Sequence, residues 1–136
     1  MFKYVNNTAD IELLIISDGK ESLITDAVTA FYEVITDTGR IELSRTIRLE
    51  IEGDGPEEQI YNLFSELIYL FDTQMFLCGY AEIREIKKHS LVIELKGEKA
   101  DEEKHAVRKI IKAVTLHNFK IEHHEGQTLL RVIFDV

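Results

Sequence analysis

The second half of this chain is a succession of β-strand patterns. From Leu77 onward, β-branched and aromatic residues form runs of strand length, separated by turn-like sequences such as Glu125-Gly126-Gln127. The predicted strands cover residues 77–87, 90–96, 110–118, 119–124 and 128–136. Residues 97–108 form a long polar connection between two of them. A domain with this half must therefore contain one or more sheets.

Two helices are predicted in the first half, among further strands. Residues 21–36 carry an apolar helical stripe, and Gly39 is a candidate C-cap. A second helix begins at Pro56, the only proline, with an apolar stripe from Ile60 to Phe71. Residues 10–16 and the alternating residues 41–51 are predicted strands. We expect an α+β fold in which two helices pack on mostly antiparallel sheet, in a single domain over residues 1–136.

The net charge of −9 and the single cysteine restrict the functional classes. Nucleic-acid binding depends on clustered Lys and Arg, so an acidic chain favours a metal ion or a basic partner protein. Cys78 follows an apolar run and is expected to be a buried thiol rather than a nucleophile. One cysteine cannot form an intramolecular disulfide, which fits a cytoplasmic protein. No apolar run approaches the ~18 residues needed to span a bilayer.

The sequence ends in a strand pattern that runs to Asp135 and Val136. A docked strand here holds the Asp135 side chain and the α-carboxylate of Val136 within a few ångströms of each other. Two such anions repel each other unless a cation lies between them. The alternative interpretation is a solvated strand end with a frayed last residue.

Catalytic motifs are weak when taken alone. The sequence has no nucleophile elbow, no glycine-rich loop that opens a helix and no Cys/His zinc spacing. His123 and His124 are adjacent on a predicted strand, so at most one of them can serve any one site. His117 and Lys112 are better candidates, on a predicted strand just beyond the polar connection.

Several segments resemble the archease family, and they occur in the family's order. The chain opens with Asn7-Thr8-Ala9-Asp10-Ile11, which is similar to the family's His-Thr-Ala-Asp-Ile, and it closes with Asp135-Val136, similar to Asp-Ile. The segments between them that also match are Leu63-Phe64-Ser65-Glu66-Leu67-Ile68 with Asp72-Thr73, Gly97-Glu98 with Asp101 and Lys104-His105, and Lys112-Ala113-Val114-Thr115-Leu116-His117.

The chain also departs from the family's pattern at particular positions. Asn7 replaces a histidine, so any ligand or proton role of that histidine is absent here. Ala106 replaces a proline, which leaves the polar connection less rigid. Leu116 replaces a tyrosine and Val136 an isoleucine. None of these departures removes a carboxylate.

The resemblance implies an accessory protein rather than an enzyme. Archeases assist the RtcB-type RNA-splicing ligase, which joins RNA ends in tRNA splicing and RNA repair. That ligase uses GTP and manganese and passes through a guanylylated histidine of its own. The archease promotes guanylylation and repeated turnover. Its partner is thus the ligase, and no direct nucleic-acid binding is expected.

The resemblance also implies site residues. The family's metal-binding cluster corresponds here to Asp10, Asp135 and the carboxylate of Val136. A lysine of the same functional region corresponds to Lys112. Three anionic oxygen groups without a soft ligand suit a hard divalent cation, calcium or magnesium. They are fewer than the oxygens such a cation takes, so waters or groups of the partner must complete the shell.

Two other functional classes remain open. A general chaperone needs a large exposed apolar patch. A stand-alone metal-dependent hydrolase needs a positioned base, and His117 with Asp135 is the only pairing available. Activity without the ligase would indicate an enzyme, and capture of denatured clients would indicate a chaperone.

Overall fold

Two α-helices and seven strands make up the part of the chain that this computed structural model describes, residues 1–7 and 10–136, with side chains for residues 1, 2 and 10–136. The strands and helices, in chain order, are β1 (Phe2–Asn7), β2 (Asp10–Ser17), α1 (Lys20–Ile35), β3 (Arg45–Glu52), α2 (Pro56–Gln74), β4 (Phe76–Ile86), β5 (Ser90–Lys99), β6 (Ala113–His124) and β7 (Gln127–Asp135). The predicted α+β class is confirmed.

The strands form two antiparallel sheets. The four-stranded sheet has the order β1-β2-β7-β6, and the three-stranded sheet has the order β3-β5-β4. Helix α1 contacts β2 and β4, and helix α2 contacts β6 and β3. Each helix therefore packs against both sheets, which explains why their apolar stripes are wide.

Three phenylalanines join the helices to the C-terminal strand. Phe31 of α1, Phe64 of α2 and Phe134 of β7 are fully buried. The ring of Phe134 lies edge-on to Phe64 at 5.0 Å and to Phe31 at 5.8 Å between centroids. Such pairs contribute about 0.5–1.5 kcal/mol beyond the area that they bury. Phe134 therefore fixes the C-terminal end of β7 in the core.

The residues at which the helices begin and end confirm one prediction and contradict another. Pro56 is the first residue of α2, as predicted. Helix α1 ends at Ile35 with Thr36 as its C-cap, so the prediction of Gly39 as the cap is wrong. Gly39 lies in a 3₁₀ turn, where its N–H donates to Oδ1 of Asp37 at 3.0 Å.

The predicted strand over residues 41–51 is shorter than its alternation indicates. Strand β3 begins at Arg45, which lies opposite Gly97 of β5. Before that point the N–H of Glu42 donates to the carboxylate of Glu98 at 2.6 Å rather than to a neighbouring strand. An alternating sequence does not form a strand where its backbone groups bind a side chain.

The strands predicted at 110–118 and 119–124 are one strand, β6, which begins at Ala113 and contains a bulge. Its pairing with β7 shifts register between Thr115 and Lys120, and Asn118 within the bulge has a φ of 58°. The irregular connection runs over residues 100–112, because β5 continues to Lys99. Strand β1 was not predicted from the sequence.

Cys78 lies on β4 and is buried, as predicted. Burial raises the pKa of its thiol to about 12, so it remains protonated at neutral pH. Among the described residues, no helix is long and apolar enough to cross a membrane.

Candidate functional site

The outer face of the four-stranded sheet carries the predicted metal ligands. Along β2, Ile11, Leu13 and Ile15 are buried, whereas the residues between them are exposed or half-buried. Successive side chains of a strand point to opposite faces. Asp10 therefore lies on the face turned away from the helices. β7 shows the same alternation, which places Asp135 on that outer face too.

Asp10 and Asp135 are directly opposite each other in the ladder between β2 and β7. Side chains at such positions share one face, with Cβ atoms about 4.5–5.5 Å apart. Two like charges placed in this way destabilise a sheet. The register therefore brings together two of the three predicted metal ligands, at a small electrostatic cost to the sheet.

Neither carboxylate is neutralised by a described side chain. Asp10 and Asp135 are both exposed, and among the side chains of residues 1, 2 and 10–136 neither has a hydrogen bond or an ion pair. Glu12, the next outward residue of β2, is in contrast bound to Arg131 at 3.0 Å. Thr8 and Ala9 of the opening motif lie outside the described residues. Among the described side chains, none therefore competes with a cation for the Asp10–Asp135 pair.

Lys112 lies beside this pair but not in a strand, so its predicted strand location is wrong. It immediately precedes β6, and its backbone N–H donates to the carbonyl oxygen of Asp135 at 2.7 Å. The next residue, Ala113, is the ladder partner of Asp135. The side chain of Lys112 is exposed. The backbone thus brings a lysine to the strand that carries Asp135.

Val136 follows Asp135 and is half-buried, with its side chain packed against the core. This packing restrains the residue whose carboxylate is the third predicted ligand. His117 is exposed in the β6 bulge, where its backbone N–H donates to Oγ1 of Thr115 at 2.9 Å. No hydrogen bond or ion pair joins these described residues, His117 and Asp135.

A polar network, with His105 buried at its centre, holds the connection between β5 and β6. The carboxylate of Glu98 accepts a hydrogen bond from Nζ of Lys104 and lies 3.1 Å from Nε2 of His105, whose side chain is fully buried. Nδ1 of His105 accepts from the N–H of Asp101 at 3.0 Å, so the ring proton belongs on Nε2 and is donated to Glu98.

The charges of this network shift two pKa values. The hydrogen bond from Lys104, with that from the N–H of Glu42, holds the pKa of Glu98 below its usual range. The same carboxylate raises the pKa of Lys104. Glu98, Asp101, Lys104 and His105 of the sequence motif therefore form a hydrogen-bonded network that holds this connection in place. Glu42 was not predicted to belong to it, because it lies far away in the sequence.

Beyond this network the chain is tied to the end of α1. The N–H of Arg108 donates to the carbonyl oxygen of Ile35 at 2.7 Å. The hydroxyl of Thr36 donates to the carbonyl oxygen of Ala106 at 2.8 Å. The guanidinium of Arg108 lies 3.7 Å from the carboxylate of Glu33. These contacts fix the path of the segment that connects the three-stranded sheet to Lys112. Sequence reasoning missed them, since they join residues without a common motif.

The donor set fits a hard divalent cation with an incomplete shell. Within the described residues, no group of three His, Cys, Asp or Glu side chains is placed so that it could hold a metal ion. Asp10 and Asp135 supply carboxylate oxygens, the donors that calcium and magnesium prefer, but they are too few to fill either ion's shell. A cation held by this pair would need waters, the carboxylate of Val136 or groups from another molecule to fill the rest of its shell.

Comparison with known proteins shows similarity to archeases over nearly the whole chain. The model of the Archease protein family (MTH1598/TM1083) matches residues 2–136. The protein archease of Archaeoglobus fulgidus is 30% identical over 138 residues, covering 99% of this chain and 98% of that protein. The protein archease of Sulfolobus acidocaldarius is 29% identical over 136 residues, with the same coverage.

Solved structures share the fold. The solution structure of Methanobacterium thermoautotrophicum protein 1598 superposes with a TM-score of 0.80 at 28% identity, covering 99% of this chain and 98% of that one. The crystal structure of a Thermotoga maritima archease, described as a possible chaperone, gives 0.68 at 21% identity, covering 98% and 96%, and supports the fold alone. With the family model matched from residue 2 to residue 136, the chain belongs to the archease family.

Proposed function

We propose that this protein is a non-enzymatic activator of an RtcB-type RNA ligase in tRNA splicing and RNA repair. It promotes the ligase's GTP-dependent guanylylation and allows repeated turnovers. Membership of the archease family supports this role. The structural observation that carries it is the Asp10–Asp135 pair, two exposed carboxylates in ladder register without a described partner.

In this proposal, Asp10, Asp135 and the carboxylate of Val136 hold a divalent cation, calcium or magnesium. A divalent cation supplies positive charge that can neutralise phosphate oxygens during nucleotidyl transfer. The two aspartates keep the cation at the exposed end of the sheet, and their small number leaves ligand positions for the partner. Lys112, beside Asp135, offers a second positive charge to a phosphate or to a carboxylate of the partner.

The charge of the whole chain supports a basic partner. Asp and Glu outnumber Lys and Arg by 25 to 16. A ligase that binds GTP and RNA must present cationic surface, and complementary charge accelerates the encounter of two proteins. The same acidity argues against direct contact between this protein and RNA phosphates.

The first test is Asp10→Asn, which removes one charge and keeps the shape of the side chain. Without metal, the variant should be slightly more stable than the parent, by about 0.2–1 kcal/mol, because the repulsion across the ladder is lost. With calcium or magnesium, the parent should gain stability and the variant should not. Thermal unfolding with and without each metal measures both effects.

The same variant should fail to stimulate ligase guanylylation. Asp18→Asn is the matched control, since Asp18 is exposed at the other end of β2 and should retain full activation. If Asp10→Asn activates as well as the parent, Asp10 has no metal role in activation. Loss of the folded state would instead show that Asp10 is structural.

Lys112→Ala tests the second charge. The side chain is exposed and only its backbone binds Asp135, so the change should leave the melting temperature nearly unaltered. Ligase activation should fall, because the ammonium group is lost from the site. Lys109→Ala, at an exposed position three residues earlier, serves as the control. An unchanged activation rate would assign Lys112 to the solvated surface.

A chaperone is the second candidate, because the Thermotoga maritima archease is described as a possible chaperone. Exposed large apolar side chains do occur here, among them Leu43, Tyr69 and Tyr80. A chaperone should suppress aggregation of denatured proteins unrelated to the ligase. A ligase activator should not do so at equimolar ratio, and light scattering distinguishes the two.

A further inference from the structure

Helix α1 and strand β4 form a groove between them, with a volume of about 430 Å³. β4 is an outer strand of the sheet β3-β5-β4, so one of its sides has no neighbouring strand among the described residues. Residues 79–83 form the β4 wall of this α1–β4 groove. The α1 wall consists of Glu21, Ser22, Thr25, Asp26 and Thr29.

The backbone of β4 along the groove is regular and open on one side. Residues 80–83 pair with residues 93–96 of β5 in continuous register, between two register shifts. Apart from this ladder, one hydrogen bond to their backbone occurs among the described residues. The thiol of Cys78 donates to the carbonyl oxygen of Tyr80 at 3.2 Å. An open edge of this kind presents unpaired N–H and C=O groups to which a further strand can bind.

Two other edge strands, β3 and β6, are bound by side chains of helix α2. Nδ2 of Asn62 donates to the carbonyl oxygen of Glu52 in β3 at 2.8 Å. The hydroxyl of Tyr61 donates to the carbonyl oxygen of Val114 in β6 at 3.4 Å. Within the described part of the chain, no side chain of α1 makes such a bond to residues 80–83. The β4 edge therefore lies beside a helix that leaves it accessible.

The floor of the α1–β4 groove is apolar. Ala81 and Ile83 lie opposite Leu95 and Ile93, which are fully buried, so their side chains face the helices. Both are half-buried and pack against the core. Because alternate side chains of a strand share one face, a strand added beside β4 would place every second side chain over this floor.

The charged residues that line the groove are all acidic. They are Glu21, Asp26 and Glu82, and no Lys or Arg lines the groove. Asp26 lies 3.6 Å from the amino group of Met1, and Glu82 lies 3.1 Å from Arg84, whereas Glu21 has no ion pair among the described side chains. Lysine and arginine fit an apolar floor with carboxylates around it, since their stems pack on apolar surface while their charged heads remain at a polar edge.

We propose that the β4 edge binds an extended, basic segment of a partner protein, which adds a strand beside residues 80–83. Strand addition of this kind takes its affinity from main-chain hydrogen bonds and its specificity from alternate side chains. Lysine or arginine stems of the segment lie over Ala81 and Ile83, and their charges face Glu21 and its acidic neighbours. A second copy of this chain is a poor occupant, because it brings the same carboxylates to the interface.

The groove does not overlap the Asp10–Asp135 pair. The hydroxyl of Ser17 donates to the carboxylate of Asp26 in the groove wall. Asp10 and Ser17 are the two ends of β2. Seven extended residues separate them, which corresponds to roughly 23 Å. The two surfaces can therefore be occupied at the same time, and this proposal does not depend on the ligase or on a metal.

The test uses the full chain and two blocked peptides, acetyl-Val-Lys-Val-Lys-Val-amide and the same peptide with Glu in place of Lys. The lysine peptide should shift the backbone amide resonances of residues 80–83 in an NMR titration. It should also slow the hydrogen exchange of amides in this run, because amides that were open become hydrogen-bonded. The glutamate peptide should cause neither change, because its charge is that of the groove.

Thr29→Arg places a cation in the groove and should weaken binding of the lysine peptide about tenfold or more. Thr29 is exposed and its hydroxyl donates within its own helix, to the carbonyl oxygen of Thr25 at 3.2 Å, so the fold should be retained. Thr73→Arg is the matched control on α2. Thr73 is also exposed, and its hydroxyl donates to the carbonyl oxygen of Tyr69 at 2.7 Å. This control should bind the peptide like the parent.

The proposal is overturned if the lysine peptide leaves the resonances of residues 80–83 unchanged. Equal affinity for the two peptides would refute the basic character of the occupant. A folded Thr29→Arg variant that binds as tightly as the parent would show that the peptide lies outside the groove. A parent that is dimeric in sedimentation, with a monomeric Thr29→Arg variant, would assign the edge to a second copy.

Discussion

Glu98 shows how one carboxylate can fix a long irregular segment. It accepts hydrogen bonds from Lys104, His105 and the backbone of Glu42, and only 15% of its side chain is exposed. The lowered pKa of Glu98 means that folding favours its ionised form. Its stabilising effect is therefore present above the ordinary Glu pKa of 4.5 and is lost as the pH falls through the folded value.

Glu98→Gln should reveal this dependence. The variant should be less stable than the parent at pH 7, and the difference should narrow as the pH falls below about 4.5, where the unfolded chain's Glu98 takes up a proton. Urea unfolding at pH 7 and at pH 3.5 measures both free energies. Glu102→Gln, at an exposed position, should show no such trend. An equal difference at both pH values would contradict the assignment.

The sequence predicts the identity of the site residues better than their surroundings. Asp10 and Asp135 could be named from the motif at each end of the chain. Their ladder register and the lack of a described partner depend on how β2 pairs with β7, which a pattern of single residues does not contain. Their metal-binding role remains a prediction.

At the scale of elements, predictions succeeded where burial alone determines structure. Helix α2 and strand β7 carry their apolar residues at regular spacing, and both form close to the predicted bounds. Two predictions were wrong: β3 starts later than predicted, and the two strands predicted over residues 110–124 are the single strand β6. In the first case Glu98 captures a backbone N–H, and in the second a bulge interrupts the pattern without ending the strand.

Strand β7 also allows a test of its final carboxylate. Adding one residue after Val136 moves the α-carboxylate by roughly 3.3 Å and puts a peptide group in its place. The extension should weaken calcium or magnesium binding and ligase activation, whereas Val136→Ile, which keeps the carboxylate, should be tolerated. Isothermal titration with each metal and a guanylylation assay follow the two effects. An extended protein with full activity would exclude the carboxylate as a ligand.

At the scale of the whole molecule, the residues that stabilise the fold and the residues of the candidate site lie in different places. Two sheets and two helices bury the core, and the outer face of one sheet presents Asp10 and Asp135. The second sheet contributes Glu98, whose network directs the connecting segment toward that face. We infer that the protein acts by presenting this face to its partner.

The measurement that tests this account most directly is the time course of ligase guanylylation with GTP, with and without this protein. The account predicts faster guanylylation and several rounds of RNA joining per ligase when the protein is present. It also predicts no joining and no GTP consumption by the protein alone. Equal rates with and without the protein, under conditions in which both are folded and the divalent metal is supplied, would contradict the central claim.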